Sequence, residues 1–299
     1  MTNHDPARGA LSVVLAAACF AAMGATIKVV STDLPDTMVV FFRNLFGLLA
    51  LVPWLVRVRP GLGTRRLRLH VLRVVVGLSA MYCFFWAIPH LALSEAVLLN
   101  YSAPLFIPFI AYFWLGETVA PAVRVAIVLG FIGIMLVLKP TPGLFQPAGL
   151  VALLAGMLGA TAMTSIRRLS ATEPAARIVF YFSLLGTLLS AVPLLWTWRT
   201  PSGVDVLLLG LVGLLATIGQ LLMTTGYSLA PAAQVGPFIY TSVVFAGIYG
   251  WFLWSETPGP VTIAGMVLVV LAGVLALRRQ PPRVETPAGA SRAAEPSEE

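Results

Sequence analysis

The sequence predicts an all-α integral membrane protein, and three observations support that fold class. First, 59% of the 299 residues are hydrophobic and only 10% are charged, whereas soluble domains carry about a quarter charged residues. Second, the apolar residues form runs of about 20, the length that a helix needs to cross a hydrocarbon core. Third, these runs lack the alternation that a membrane β-barrel requires. Helices also satisfy every backbone N–H and C=O within the segment, as lipid demands.

Ten apolar runs are separated by proline, glycine and charged residues. The first is expected to remain as a helix rather than to be cleaved as a signal peptide, because its repeat copy at 150–170 lies in mid-chain. The tail at 280–299 is rich in Pro, Ala, Ser and Glu and is predicted to be disordered. The predicted transmembrane helices span 10–30, 36–56, 71–89, 95–115, 122–139, 147–167, 176–196, 204–225, 232–254 and 260–278.

The second half of the chain repeats the first at a constant spacing of 139 positions. We therefore predict two five-helix units, at 8–140 and 147–279, produced by an internal duplication. Because five is odd, the second unit enters the membrane with the opposite orientation to the first. Inverted units of this kind are typical of secondary transporters. The matching pairs are Tyr101 and Tyr240, Phe106 and Phe245, Phe113 and Phe252, Glu117 and Glu256, Pro121 and Pro260, Pro35 and Pro174, Phe41 and Phe180, and Gly47 and Gly186.

The distribution of positive charge predicts the orientation. With the N-terminus inside, fifteen of the 19 Lys and Arg residues fall on the cytoplasmic side, three fall outside, and Arg43 falls within a span. Because cytoplasmic loops are enriched in Lys and Arg, both termini are predicted to be cytoplasmic. Six arginines surround one loop between apolar runs, so the net charge of +7 fits the positive-inside rule and does not indicate a face that binds nucleic acid. These are Arg57, Arg59, Arg65, Arg66, Arg68 and Arg73.

Two helix ends carry related motifs, Leu115-Gly116-Glu117 and Trp254-Ser255-Glu256, and the second is followed by Gly265. In these motifs and in its five-plus-five organisation, the chain resembles the EamA family of the drug/metabolite transporter superfamily. It departs from the family pattern at Ser255, where Gly is usual, and at Ala126, where the first unit should have Gly. The resemblance covers nearly the whole chain. It implies a transporter of small metabolites, such as amino acids or nucleosides, without specifying the substrate.

Polar and aromatic residues within the spans indicate a small-molecule pocket, because such pockets combine aromatic walls with a few convergent polar groups. Pro104, Pro108 and Pro237 should interrupt the helices that line it. The alternative is hydrogen bonding between helices, with aromatic rings at the membrane interfaces. The candidate substrate-binding residues are Arg43, Asn44, Tyr82, Trp86, Asn100, Tyr101, Ser102, Gln220, Thr224, Tyr240 and Thr241.

Arg43 is the most informative charge, since an arginine within a span should face protein or water. Its counterpart in the second unit is Phe182, so the symmetry of the fold does not require it. One interpretation is an anchor for a substrate carboxylate or phosphate. Snorkelling toward the outer headgroups and an ion pair with Asp36 or Glu95 remain open.

Four other titratable residues have candidate roles. Glu95 and His90, at the outer junction of the third and fourth spans, are candidates for proton coupling, with wet loop residues as the alternative. Glu117 and Glu256 each end a helix and precede a proline. We predict structural turns there, in which the carboxylate accepts from free N–H groups of the next helix. A proton or substrate role is the alternative.

The chain has neither a P-loop motif nor an H-E-x-x-H motif, so an ATPase or a zinc hydrolase is not expected. We expect no cofactor and no metal. The expected function is a secondary-active, inner-membrane exporter of a small polar or amphipathic metabolite, amino-acid-derived or metallophore-like, that works by alternating access. The alternatives are an importer of an amino acid, nucleoside or vitamin, and a membrane scaffold without transport. The expected partners are a small-molecule substrate and the lipid bilayer, and a homodimer is left open.

Overall fold

Helices account for almost all of the regular structure. The computed structural model describes residues 5–31, 34–58, 61–87, 90, 99–117, 119–138, 147–255 and 257–278, and no β-strand occurs within them. The longer helices are α1 (Pro6–Val30), α2 (Asp36–Val58), α3 (Leu67–Ala87), α4 (Ala103–Leu115), α5 (Pro121–Leu138), α6 (Pro147–Leu169), α7 (Ala175–Ser190), α8 (Gly203–Leu229), α9 (Thr241–Trp254) and α10 (Pro260–Arg278). The predictions on Glu95, Glu256 and the tail at 280–299 lie outside the described residues.

Seven helical segments among these residues are long and apolar enough to cross a bilayer. Three further apolar helices, at Ala103–Leu115, Ala175–Ser190 and Pro260–Ala276, are shorter. Large apolar side chains, for example Phe113, Leu195 and Phe252, are exposed on the outer surface of the helix bundle. This arrangement is expected where lipid is the solvent. The prediction of an all-helical membrane protein is therefore confirmed.

Two predicted spans are interrupted by proline. The span predicted at 176–196 is not continuous, because α7 ends at Ser190 and a separate short helix, Leu194–Thr197, follows Pro193. Pro193 has no N–H to donate to the preceding turn. The span predicted at 232–254 likewise begins as a short helix, Ala232–Val235, and a 3-10 helix, Gly236–Tyr240. As predicted, Pro237 lies at this break.

The start of α3 also differs from the prediction of 71, because the helix begins at Leu67. Arg68 and His70 are therefore helical and not part of the preceding loop, and Arg73 lies within the helix as the predicted span has it. His70 and Arg73 are buried. The burial of Arg73 separates it from the loop arginines with which the sequence grouped it.

Helix pairs pack in a pattern that recurs between the two halves. α1 packs against α8 as α6 packs against α3, and α2 packs against both α7 and α8. At the α5–α10 contact the backbones approach closely, since a Cβ on Gly133 would lie 2.8 Å from the carbonyl oxygen of Gly265. Small residues at such contacts are typical of membrane helices, where association depends on close packing.

Candidate solute-binding site

One small cavity lies among α2, α7 and α8 and has a predominantly polar lining. Its volume is about 10 Å³, which is about what one water molecule needs. Two residue pairs at the repeat spacing contribute to it, Arg43 with Phe182 and Asn44 with Ser183. Equivalent positions of the two halves therefore meet at one place. The other lining residues are Ala216, Thr217 and Gln220.

Arg43 lines this cavity and is only 7% exposed. Its Nη1 donates to Asn44 Oδ1 at 3.5 Å and lies 3.9 Å from Met81 Sδ, while its Nε is buried without a hydrogen-bond partner. Asn44 is held in turn by donation from its Nδ2 to Val40 O at 2.9 Å. Among the described residues no carboxylate forms an ion pair with Arg43. Its guanidinium lies inside the bundle, away from the lipid surface.

Arg73 is a second buried arginine at the same place, and the sequence reasoning missed it. It is 2% exposed, and its Nη2 donates to Gln220 Oε1 at 2.8 Å. Its guanidinium carbon lies 4.3 Å from the centre of the Phe182 ring, and that of Arg43 lies 6.0 Å from the same ring. The prediction that Arg73 belongs with the arginines around the loop is wrong. The available signal was the apolar sequence on both sides of it, Val71-Leu72 and Val74-Val75-Val76.

The remaining candidates divide into separate groups. Tyr82 packs beside Phe182, and its hydroxyl is buried without a hydrogen-bond partner, as is the hydroxyl of Thr224 on α8. Thr224 therefore lies on a helix that borders the cavity, whereas Tyr82 lies on α3, which contributes no residue to the lining. Trp86 is half exposed and stacks on the exposed ring of His90, with ring centres 4.2 Å apart, so this pair does not line the cavity.

A second polar group lies around the start of α4 and of α9. Ser242 Oγ donates to the Tyr101 hydroxyl at 2.7 Å, Ser102 Oγ donates to Leu99 O, and Thr241 Oγ1 donates to Phe238 O. The Tyr240 hydroxyl is buried without a partner. Asn100 is half-buried beside this group. These residues contact the largest apolar core and not the cavity that contains Arg43.

Glu117 connects helices from both halves. Its carboxylate accepts from Arg167 Nε at 3.0 Å and from the backbone N–H of Ala232 at 3.2 Å. Arg167 also donates to the carbonyl oxygens of Tyr227 and Ser228. The sequence predicted acceptance from the helix that follows Glu117, whereas these hydrogen bonds run to α6 and to the N-terminus of the short helix Ala232–Val235.

At one end of the bundle, a cluster of polar residues joins the loop at 61–66 to the start of α7. Glu173 accepts from Thr64 Oγ1 at 2.6 Å and forms an ion pair with Arg177 at 2.6 Å. Arg177 also donates to Gly61 O, and the Tyr181 hydroxyl donates to Leu62 O at 2.9 Å. His70 is buried against the Tyr181 ring. We use the name polar end cluster for Thr64, His70, Glu173, Arg177 and Tyr181.

The Glu173 carboxyl has opposing influences on its pKa. Burial alone would raise the pKa. The hydrogen bonds from Thr64 and Arg177, together with the positive charge of Arg177, outweigh burial and lower the pKa below its ordinary value. Glu173 is therefore held as a carboxylate within the polar end cluster.

The opposite end of the bundle is closed by an apolar end cluster, which we define as Val30, Leu34, Met38, Val39, Leu194 and Leu209. Phe42 packs against it. A hydrogen bond of 2.7 Å between the hydroxyls of Thr37 and Thr197 lies beside it. At the repeat spacing, Leu34 corresponds to Glu173, Met38 to Arg177, Phe42 to Tyr181 and Leu209 to His70.

Comparison with known proteins agrees with this architecture. A sequence model of the EamA-like transporter family matches residues 7–139 and, separately, residues 146–278. The chain belongs to the EamA-like transporter family. This confirms the resemblance described above and indicates a transporter rather than an enzyme.

Similar EamA-like relatives include the pseudopaline exporter CntI of Pseudomonas aeruginosa, 33% identical over 88% of this chain and 94% of the relative. A riboflavin transporter of Vibrio cholerae is 27% identical over 90% of this chain and 93% of the relative. An S-adenosylmethionine uptake transporter of Rickettsia felis is 27% identical over 82% and 84%, respectively. A protein of known crystal structure has the same fold, with a TM-score of 0.79 over 90% of this chain and 96% of that chain at 18% identity.

The EamA-like chain is thus a multi-pass, inner-membrane transporter of a small molecule. Two of the larger surface cavities of the described structure have mainly apolar linings and do not suit a polar solute. One of about 690 Å³ is lined mostly by apolar residues of α1, α8 and α9, and one of about 410 Å³ by Leu72, Thr161 and residues of α4. A third cavity, of about 650 Å³, is lined by the exposed residues Arg65, Arg66, Arg68 and Arg168 at one end of the bundle. The cavity at Arg43 is therefore the candidate for recognition of a polar group inside the bundle.

Proposed function

We propose that this EamA-like transporter is a secondary-active exporter of a small, carboxylate-bearing metabolite, and that the substrate binds at the cavity lined by Arg43. The observation that carries the proposal is the Arg43 guanidinium, buried without an ion-pair partner among the described residues. Such a charge is costly inside a membrane, so an arginine that is retained there indicates a functional site. The similarity to a relative named as an exporter, at 33% identity, supports the direction.

The proposed architecture has ten transmembrane helices, α1 to α10, in two inverted five-helix units with both termini in the cytoplasm. Two separate matches to the family model support the two units. The orientation rests on Lys and Arg enrichment, which assigns the end with Arg65, Arg66, Arg167 and Arg168 to the cytoplasm. The cavity then lies between the units, where alternating access requires the binding site to be.

The proposed mechanism exposes the cavity first to one side and then to the other. The present volume of about 10 Å³ cannot hold a metabolite, so α2, α7 and α8 must separate to admit one. Asn44, Thr217 and Gln220 would orient the substrate through neutral hydrogen-bonding groups, and Tyr82 would supply an aromatic wall. Proton antiport or a substrate gradient would supply the energy, and coupling through His90 and Glu95 stays a prediction. A homodimer also stays a prediction.

Import is the second candidate function, since relatives named as uptake and riboflavin transporters align over most of the chain. Direction and substrate can be tested together by comparing the metabolites of medium and cells between wild-type and deletion strains. A solute that accumulates in deletion cells and disappears from the medium supports export. The reverse pattern supports import, and no change in any solute contradicts transport.

The site can be tested by measuring the uptake of the solutes found in that comparison into inside-out vesicles. Arg43→Gln should abolish transport of carboxylated solutes while the protein still reaches the membrane. Arg124→Gln is the matched control, since Arg124 is exposed on α5. Equal loss for neutral and acidic solutes, or loss of the protein itself, would contradict the proposed role of Arg43.

A further inference from the structure

Arg43 and Arg73 converge on one ring from two different helices. Both guanidinium groups lie over Phe182, at 6.0 Å and 4.3 Å from its centre, so they are close neighbours in the core. No ion pair to either arginine occurs among the residues that the structure describes. Two positive charges are therefore buried together with no negative charge of the described structure beside them.

The groups that do contact these arginines are neutral. Arg43 donates to an amide oxygen of Asn44 and Arg73 to an amide oxygen of Gln220. Each arginine keeps a buried Nε without a partner. Amide dipoles and an aromatic face orient a guanidinium but do not neutralise it. A charge without compensation inside a membrane protein is costly and marks a functional site.

We propose that Arg43 and Arg73 together form a binding site for a substrate with two acidic groups, one for each guanidinium. This inference rests on the proposed transport function and specifies its substrate class. A substrate with a single carboxylate would leave one arginine uncompensated, so the site should prefer a dianion over a monoanion of the same size. The planar fork of each arginine suits paired hydrogen bonds to a carboxylate.

The same pair explains how closure could depend on the substrate. Like charges repel strongly where the effective dielectric constant is low. When α2, α3, α7 and α8 close around an empty site, the two arginines are brought together without compensation. A bound dianion removes that repulsion, so closure around the loaded site is favoured over closure around the empty one. Unproductive cycling without substrate is thereby reduced.

The test uses the full chain in lipid nanodiscs and three series of matched probes. Succinate, glutarate and adipate are the dianions, and their monoamides are monoanions of nearly the same size. Binding is measured by the shift in thermal unfolding temperature at increasing probe concentration. We expect at least one diacid to bind wild type about ten-fold or more tightly than its monoamide, because a carboxylate forms stronger hydrogen bonds with a guanidinium than a neutral amide does.

Arg43→Gln and Arg73→Gln should each remove this preference for the diacid, whereas Arg124→Gln should retain it. The variant with both substitutions should show little further loss, since each single change already leaves one acidic group unpaired. The proposal is overturned if no diacid in the three series is preferred by wild type, or if Arg73→Gln keeps the wild-type ratio. A variant that does not fold is replaced by Arg73→Lys, which keeps the charge and should keep part of the preference.

Failure of this proposal and failure of the transport proposal give different results. If vesicles export neutral or monoanionic solutes and the Arg73→Gln ratio is unchanged, the dianion site is wrong while transport stands. If a diacid binds with the expected dependence on both arginines but no solute moves in vesicles or cells, the site stands and transport is wrong.

Discussion

The two ends of the helix bundle are closed by opposite chemistry at equivalent positions of the repeat. The polar end cluster contains an ion pair, Glu173–Arg177, and hydrogen bonds to the loop at 61–66. The apolar end cluster has Leu34 and Met38 at the positions of that ion pair. One backbone arrangement therefore accommodates two kinds of closure, and the side chains alone decide which kind each end has.

The difference has a physical consequence for opening. When the polar end cluster separates, water can replace its hydrogen bonds, so the net cost is modest. When the apolar end cluster separates, its side chains meet water at a cost of about 25 cal/mol for each Å² exposed. In the proposed orientation the polar end faces the cytoplasm, so access from that side is the less costly. Easier opening on the cytoplasmic side favours loading of the substrate from the cytoplasm, which is the direction of the proposed export.

The largest effect is expected at the apolar end cluster. Leu209 is 0% exposed, and Leu209→Ala should lower the free energy of unfolding by about 2–5 kcal/mol, the range for a buried leucine truncated to leave a cavity. The measurement is denaturant unfolding of the purified protein in detergent. Leu211→Ala is the control, because Leu211 lies on the same helix and is exposed. Equal losses for both variants would show that the apolar end cluster is no better packed than the lipid-facing surface.

A somewhat smaller effect is expected when the ion pair of the polar end cluster is broken. Arg177→Gln leaves the Glu173 carboxylate buried without its cation. Removal of one partner of a buried pair costs about 3–5 kcal/mol, and the 19% exposure of the Arg177 side chain places this pair at the lower end of that range. The same unfolding measurement applies, with Arg124→Gln as the exposed control. If Arg177→Gln unfolds like its control, the ion pair does not contribute to closing this end.

The contribution of the polar end cluster to stability should depend on pH, whereas that of the apolar end cluster should not. The folded structure lowers the pKa of Glu173 below its ordinary value of 4.5, so the carboxylate stabilises the fold above that pH. The contribution is lost as the pH falls through the lowered pKa, because the unfolded chain then takes up the proton first. Arg177 and His70 are the charged and titratable groups that act on Glu173 here.

We therefore expect the stability difference between wild type and Glu173→Gln to be constant near neutral pH and to shrink below about pH 4.5. The difference between wild type and Leu209→Ala should not change over the same range, since no titratable group is removed. Unfolding curves collected at several pH values check both expectations. A Glu173→Gln difference that grows on acidification would contradict the assigned direction of the pKa shift.

The fold was largely predictable because lipid imposes a simple length rule on apolar runs. The errors occurred where local chemistry changed within a run. Pro193 ends α7 early, and the polar residues Arg68 and His70 concealed the first turns of α3. A loop and the first turn of a helix can have the same composition, so the boundary depends on packing that a sequence pattern does not contain.

The site was predictable only in part. Arg43, Asn44 and Gln220 could be proposed because a polar residue within an apolar run needs a polar neighbour. Arg73 could not be separated from the nearby loop arginines, because the rotation of α3 decides whether it points inward. Glu173 and Arg177 resembled solvated residues between two helices. Their burial depends on the loop at 61–66, which belongs to the other half of the chain.

The smallest effects should come from one threonine at each end of the bundle. Thr64→Val removes a hydrogen bond to the Glu173 carboxylate, and Thr37→Val removes a hydrogen bond to the neutral hydroxyl of Thr197. Bonds to charged groups contribute about 1.5–3 kcal/mol and neutral ones about 0.5–1.5 kcal/mol. Thr64→Val should therefore lower the free energy of unfolding more than Thr37→Val. If the order is reversed, the charge on Glu173 contributes little to the stability of the polar end cluster. The two ends would then be stabilised to a similar extent, although different residues close them.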